Sequence, residues 1–191
     1  MFSNSLKNSL VGILLLTTLS VKCENLINNG DFTQGLPPTW LISTGIKSNE
    51  TEKTLPGGSQ VTFGLDKENF HSAPVSLCFK SSVQNSITSY NTLPINLISG
   101  KKYRFAAWYF LKTDSPKKCS LTGRIAIRFK EANSKNKNHF PTFEITTDKW
   151  TRVETDFIAP AGLKDALFTL WFSGEGILNW DDVEVKEIHT H

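Results

Sequence analysis

Asp181 and Asp182 stand side by side, and Glu154 and Asp156 stand two residues apart. Two carboxyl groups are what glycosidic hydrolysis requires, held roughly 5 to 9 Å apart across the scissile bond. Neighbours on a strand point to opposite faces, so Asp181 and Asp182 are not expected to act as that pair. Glu154 and Asp156 share a face and read as a solvated strand surface. The sequence has no Gly-x-Ser-x-Gly nucleophile elbow and no CxxC pair, which sets aside that hydrolase chemistry, zinc ribbons and thioredoxin-like redox centres. His189 and His191 lie at the carboxyl terminus, and nothing in the sequence marks His71 or His139 as a base or a metal ligand. The chain is expected not to be an enzyme.

A second set of residues suits binding instead. Trp108 and Trp171 fall on the face opposite the apolar rows of their segments, and Tyr90 sits in a polar stretch, SITSYNT. Arg124 and Arg128 alternate with Ile125 and Ile127. Aromatic rings that meet apolar C–H faces, flanked by groups that hydrogen-bond hydroxyls, are the chemistry that grips a sugar. Two arginines favour an acidic or highly hydroxylated partner. A single outward tryptophan is as readily explained by packing under a loop. Convergence would decide: Tyr90, Trp108, Trp171, Arg124 and Arg128 make one groove if their strands share a concave sheet. Trp40 and Trp150 sit where strands begin and are expected to be structural.

The elements that must position these residues are strands. Apolar residues alternate with a period of two over 101–112, 124–130, 166–173 and 179–188, the last placing Val183 and Val185 on one face with Asp181. Further strands are expected at 25–32, 40–46, 59–65, 75–80, 86–97, 142–147 and 150–158. Turn residues punctuate them at Pro37-Pro38, Pro56-Gly57-Gly58, Ser99-Gly100, Ser115-Pro116 and Pro160-Ala161-Gly162. No window carries a helical stripe, and 131–138 reads as a hairpin loop. Short strands throughout predict an all-β, two-sheet antiparallel sandwich or jelly roll. The chain has 191 residues, 39% hydrophobic and 20% charged, enough apolar material for one core. Its net charge of +3 is too small to argue for nucleic acid.

Residues 1–23 hold Lys7 ahead of an apolar run from Leu10 to Leu19. That run suits a signal-peptide core and is too short for a permanent span. Cleavage is expected before Glu24, with a cut after Ser20 as the main alternative. This predicts a secreted single domain over 24–191, close to neutral once Lys7 and Lys22 are gone, and not inserted in a membrane. Cys23 would leave with the leader. In an oxidising compartment the remaining Cys78 and Cys119 are expected to form one disulfide, contributing roughly 3 to 4 kcal/mol; two separate thiols are the alternative. Asn49-Glu50-Thr51 is a glycosylation sequon.

Five segments in order carry a resemblance: NLINNGDFTQG at 25–35, HSAPVSLCF at 71–79, LISGKKYRFAAWY at 97–109, WTRVETDFIAPAG at 150–162 and FTLWFSGEGILNWDDVEV at 168–185. Together they resemble the carbohydrate-binding modules of the galactose-binding-like jelly-roll group, the families numbered 4, 9 and 22. The resemblance covers nearly all of 24–191. It implies a non-catalytic secreted module that recognises a polysaccharide or glycan, or a glycoprotein that carries one. The alternatives are an adhesion or coat protein with a protein partner, and a jelly-roll lyase or glycosidase. The resemblance also implies a structural calcium that ties the first strand to the last, held by backbone carbonyls at the matching positions Asp31, Thr33, Ser72 and Ala73 and by the side-chain carboxylate of Asp181. Calcium takes carbonyl and carboxylate oxygens alike. Thr33 stands where many members carry an acid.

Overall fold

Tyr103, Phe105, Ala107, Tyr109 and Leu111 alternate with Arg104, Ala106, Trp108 and Phe110, and in the computed structural model the first row is at most 2% exposed. The structure describes residues 24–36, 41–47, 52–54, 61–72, 74–82, 86–91, 94–129, 137–139 and 144–189. The leader, Trp40, Asn49 and Ala73 lie outside them. In chain order the strands are β1 (Leu41–Lys47), β2 (Glu52–Thr54), β3 (Val61–Asp66), β4 (Ser76–Ser81), β5 (Ser86–Asn91), β6 (Lys102–Lys112), β7 (Ser120–Phe129), β8 (Lys137–His139), β9 (Thr151–Ile158), β10 (Leu163–Ser173) and β11 (Gly176–Glu187). A short 3-10 turn covers Pro116–Lys118.

The strands form two antiparallel sheets, ordered β2-β1-β5-β10-β7-β8 and β3-β4-β11-β6-β9. Phe168, Leu170 and Phe172 of β10 are fully buried and face Phe105, Tyr109, Leu178 and Trp180 of the other sheet across the core. The Phe105 and Phe168 rings meet with centroids 5.0 Å apart. This is the expected all-β sandwich.

Several local expectations fail, each for a physical reason. Residues 25–32 form bends and turns rather than a strand, with Asn29 and Phe32 at φ of 53° and 55°. The segment is held to β11 by Asn25, whose Oδ1 accepts from the Val185 amide and whose Nδ2 donates to the Val183 carbonyl. Gly30 lies so close that a Cβ there would sit 1.9 Å from the Val183 oxygen. The end of the expected loop, 137–138, instead belongs to β8, which pairs with β7, and 144–147 are not strand.

Asp181 does not share a face with Val183. The ladder between β11 and β6 shifts register between Asp181 and Glu184, and Asp182 adopts φ 47°. This bulge inserts an extra residue and resets the alternation. Leu178, Trp180, Val183 and Val185 all point into the core, while Asp181 pairs with Trp108 on the outer side.

The two cysteines are separate thiols, not a disulfide. Cys78 pairs with Asn179 and Gly64 on the outer side of the five-stranded sheet. Cys119 belongs to the cluster between the sheets, with its Sγ 3.4 Å from the Glu175 carbonyl. A layer of sheet divides them, which no disulfide geometry spans.

Candidate functional site

On β10, Ala166, Phe168, Leu170 and Phe172 point inward, so Asp165, Leu167, Thr169 and Trp171 form the outward row. Trp171 is half-buried. Directly opposed residues of an antiparallel pair share a face. The register therefore adds Arg124 beside Thr169, Ala126 beside Leu167 and Arg128 beside Asp165 from β7. From β5 it adds Ser89 beside Trp171 and Asn91 beside Thr169, and from β1 it adds Ser43 and Leu41. One face of the six-stranded sheet thus gathers a tryptophan, two arginine positions and a series of hydroxyl and amide positions. Arg124 and Arg128 share their row with Trp171.

Tyr90 does not. Its register partner is Leu170, so position 90 belongs to the inward row. Trp108 lies in the other sheet altogether, on β6. The single groove expected from the sequence is therefore divided between two sheets.

Around Trp108 the five-stranded sheet carries a self-satisfied network. The His71 imidazole lies flat on the Trp108 indole, with ring centroids 3.8 Å apart and 15° between planes. Trp150 meets His71 edge-on at 5.8 Å and Phe110 at 5.9 Å. His71 Nδ1 is 2.7 Å from Asp182 Oδ2, and the Ser72 hydroxyl donates to Asp182 Oδ1 over 2.7 Å. The main-chain amides of His71 and Ser72 both donate to Asp181 Oδ2, at 2.9 and 2.8 Å. The Asp182 amide donates to Asp181 Oδ1 at 2.8 Å. Both carboxyl groups reach Ser72, because the bulge turns Asp182 to the side of Asp181. Asp181 has no exposed surface, while the Asp182 side chain is 32% exposed. Burial pushes the Asp181 carboxyl up, and the amide donors oppose that without cancelling it.

Glu154 and Asp156 are ion-paired rather than merely solvated. Arg104 grips Asp156 through two nitrogens, at 2.7 and 3.1 Å, and Lys102 adds a third contact at 3.0 Å. These donors hold the Asp156 carboxyl down at about 2. Arg152 bridges Glu154 at 3.3 Å and Glu184 at 3.5 Å.

Calcium needs six to eight oxygens with their lone pairs aimed at one point. The Asp181 oxygens accept from three amide N–H groups; Ala73, whose carbonyl belongs to the expected donor set, lies outside the described residues. Asp31 Oδ1 is engaged by the Thr33 amide and hydroxyl, at 3.3 and 3.0 Å. Asp31 and Thr33 border a depression with Asp182 and Glu184, and Asp181 is not part of its lining. Among the described residues no three of His, Cys, Asp or Glu are grouped to hold a metal. His71 is the residue that sequence reasoning missed. Its only signal was its place directly before Ser72 in the HSAPVSLCF segment.

No family model matches the chain, and no curated protein matches it. Solved structures do share its fold, among them carbohydrate-binding modules of families 16, 22 and 61. The second family 22 module of Paenibacillus barcinonensis Xyn10C, a xylan-binding domain, is 14% identical with a TM-score of 0.56 over 83% of this chain and 97% of its own. A family 61 module in complex with β-1,4-galactotriose is 16% identical with a TM-score of 0.55, over 86% of this chain and 99% of its own. The enzymatically active domain of bacteriophage CBA120 tailspike protein 4 is 14% identical with a TM-score of 0.60; this chain covers 86% of itself and 21% of the tailspike. The chain has the galactose-binding-like jelly-roll fold of carbohydrate-binding modules.

Proposed function

We propose that this protein is a secreted, non-catalytic module that binds a polysaccharide or glycan on the outer face of its six-stranded sheet. The observation that carries the reading is the outward row in which half-buried Trp171 shares a face with the positions of Arg124 and Arg128. Trp171 supplies a platform for a sugar ring. The arginines and the hydroxyl positions of β1, β5 and β7 supply hydrogen bonds along the chain of the ligand. The neighbours whose names mention xylan and β-1,4-galactotriose make β-1,4-linked polysaccharides the first ligands to test. Trp108 has a structural role under His71. Residues 1–23 act as a cleaved leader, and 24–191 form one module.

The test is binding of the mature protein to soluble xylan, galactan, mannan and mixed-linkage glucan, with released sugars measured in the same samples. Binding without release is expected. Trp171→Ala should weaken it by about 1 to 3 kcal/mol, while melting stays close to that of the unmodified protein. Release of sugars would replace the module with an enzyme, and absence of binding throughout would turn the face into a protein-interaction surface. Sequencing the amino terminus of the secreted product should give Glu24.

A further inference from the structure

The outer side of the five-stranded sheet holds a second feature, away from the His71–Trp108 network. Thr62, Lys80, Ile177 and Lys112 are register partners in one line across β3, β4, β11 and β6. Adjacent strands lie about 4.8 Å apart, so the two lysines bracket Ile177 with their backbones about 10 Å from each other. A depression of about 610 Å³ opens over this line, with Asp114 and Glu175 also in its lining. Ile177 is half-buried and forms an apolar patch between the two cations.

The wall of this depression is built rather than incidental. Gly176 has φ +144°, and a Cβ there would sit 2.6 Å from the Lys112 carbonyl oxygen. Only glycine lets the turn between β10 and β11 lie so close to the end of β6. The Thr113 hydroxyl donates to the Glu175 carbonyl at 2.7 Å and accepts from the Ser115 amide at 3.1 Å, fixing the two turns to each other. Among the described residues none of Lys80, Lys112, Asp114 and Glu175 forms an ion pair. All four residues are exposed, and Lys80 also lies close enough to Asp66 to lower its pKa.

The chemistry of the lining selects the ligand class. Two ammonium groups donate, two carboxylates accept, and the four charges sum to zero. An anion would meet both carboxylates, and a cation both lysines. A neutral polyol satisfies both kinds, since each of its hydroxyls donates and accepts. Its C–H face would lie on Ile177.

We propose that this depression is a second carbohydrate subsite that takes a neutral sugar unit. The protein then binds glycan on both of its sheets. This inference rests on the carbohydrate reading above.

The experiment is calorimetric titration with short neutral xylo-, galacto-, manno- and gluco-oligosaccharides. Four forms are compared: the unmodified protein, Trp171→Ala, Lys80→Ala/Lys112→Ala, and the three substitutions combined. Both lysines are exposed, so the double variant should melt like the parent. The expected result is that Trp171→Ala keeps a residual binding event, and that adding the lysine changes weakens it about tenfold or more. If Trp171→Ala abolishes all binding and the lysine changes alone do nothing, the second subsite is overturned and the function stands. If oligosaccharides bind and no variant changes the affinity, the second subsite is overturned together with the role of Trp171. If the unmodified protein binds none of them, both the subsite and the carbohydrate reading fall.

Discussion

The ring of His71 stacks on the ring of Trp108 at a centroid distance of 3.8 Å, while its main-chain amide donates to Asp181 at 2.9 Å. One residue thereby fastens the segment before β4 to two central strands of the five-stranded sheet. The side chain and the backbone do separate work, which makes the two contributions separable. His71→Ala removes the stack and the Asp182 contact and should cost about 1 to 2 kcal/mol. Asp181→Ala leaves several amide donors without an acceptor and should cost more, about 2 to 4 kcal/mol. Chemical denaturation of the two variants checks the order, and equal losses would contradict it.

If a calcium ion ties the Asp31 segment to β11, as the resemblance implies, the protein should melt higher in calcium than in a chelator, and an unchanged melting temperature would exclude the ion. An ion bound only by the folded state raises stability by mass action, so a clear rise with added calcium would establish the metal.

Cys78 and Cys119 are both buried, and burial pushes the Cys78 thiol up to about 11. Thiolate is the reactive form, so neither should label readily in the native mature protein. Both should label once it is denatured, and reductant should leave the melting temperature unchanged. Prompt native labelling, or a loss of stability on reduction, would count against the arrangement.

Asp156 is the group with the clearest acid signature. Its folded pKa of about 2 lies below the ordinary aspartate value, so the stabilisation is present above pH about 4 and is lost as pH falls towards 2. Arg104→Ala removes the largest cause of that shift. Carboxyl titration by NMR should then find Asp156 moved up towards the ordinary value. No movement would show that Lys102 alone is sufficient.

Much of the fold is legible in the sequence. The alternation along 101–112 separated buried Tyr103, Phe105 and Tyr109 from outward Trp108, and the same logic placed Trp171, Arg124 and Arg128 on outward rows. Period-two reading assigns a face within one strand and says nothing about which sheet that strand enters. Trp108 and Trp171 were therefore joined in one groove that the pairing of β6 with β11 and of β10 with β5 divides. Tyr90 was misplaced because its strand is polar on both sides, and only its pairing with Leu170 reveals the inward row. The Asp181–Asp182 step was misread because a bulge has no signature in hydrophobicity. His71 escaped notice because its partners lie more than thirty residues away.

The strand order has a consequence for how the chain is made. β10 and β11 come last in the sequence, yet β10 lies between β5 and β7, and β11 lies between β4 and β6. Both sheets are thus missing an inner strand until residues 163–187 have been made. Until then β4, β5, β6 and β7 have edges waiting for partners, and the segment around Asn25 has nothing to hold. Closing both sheets therefore waits on residues 163–187, the non-local β pairing that makes folding slow. A stop codon shortly before β10 would leave no half-built sandwich to rescue. It would leave open strand edges, which bind one another.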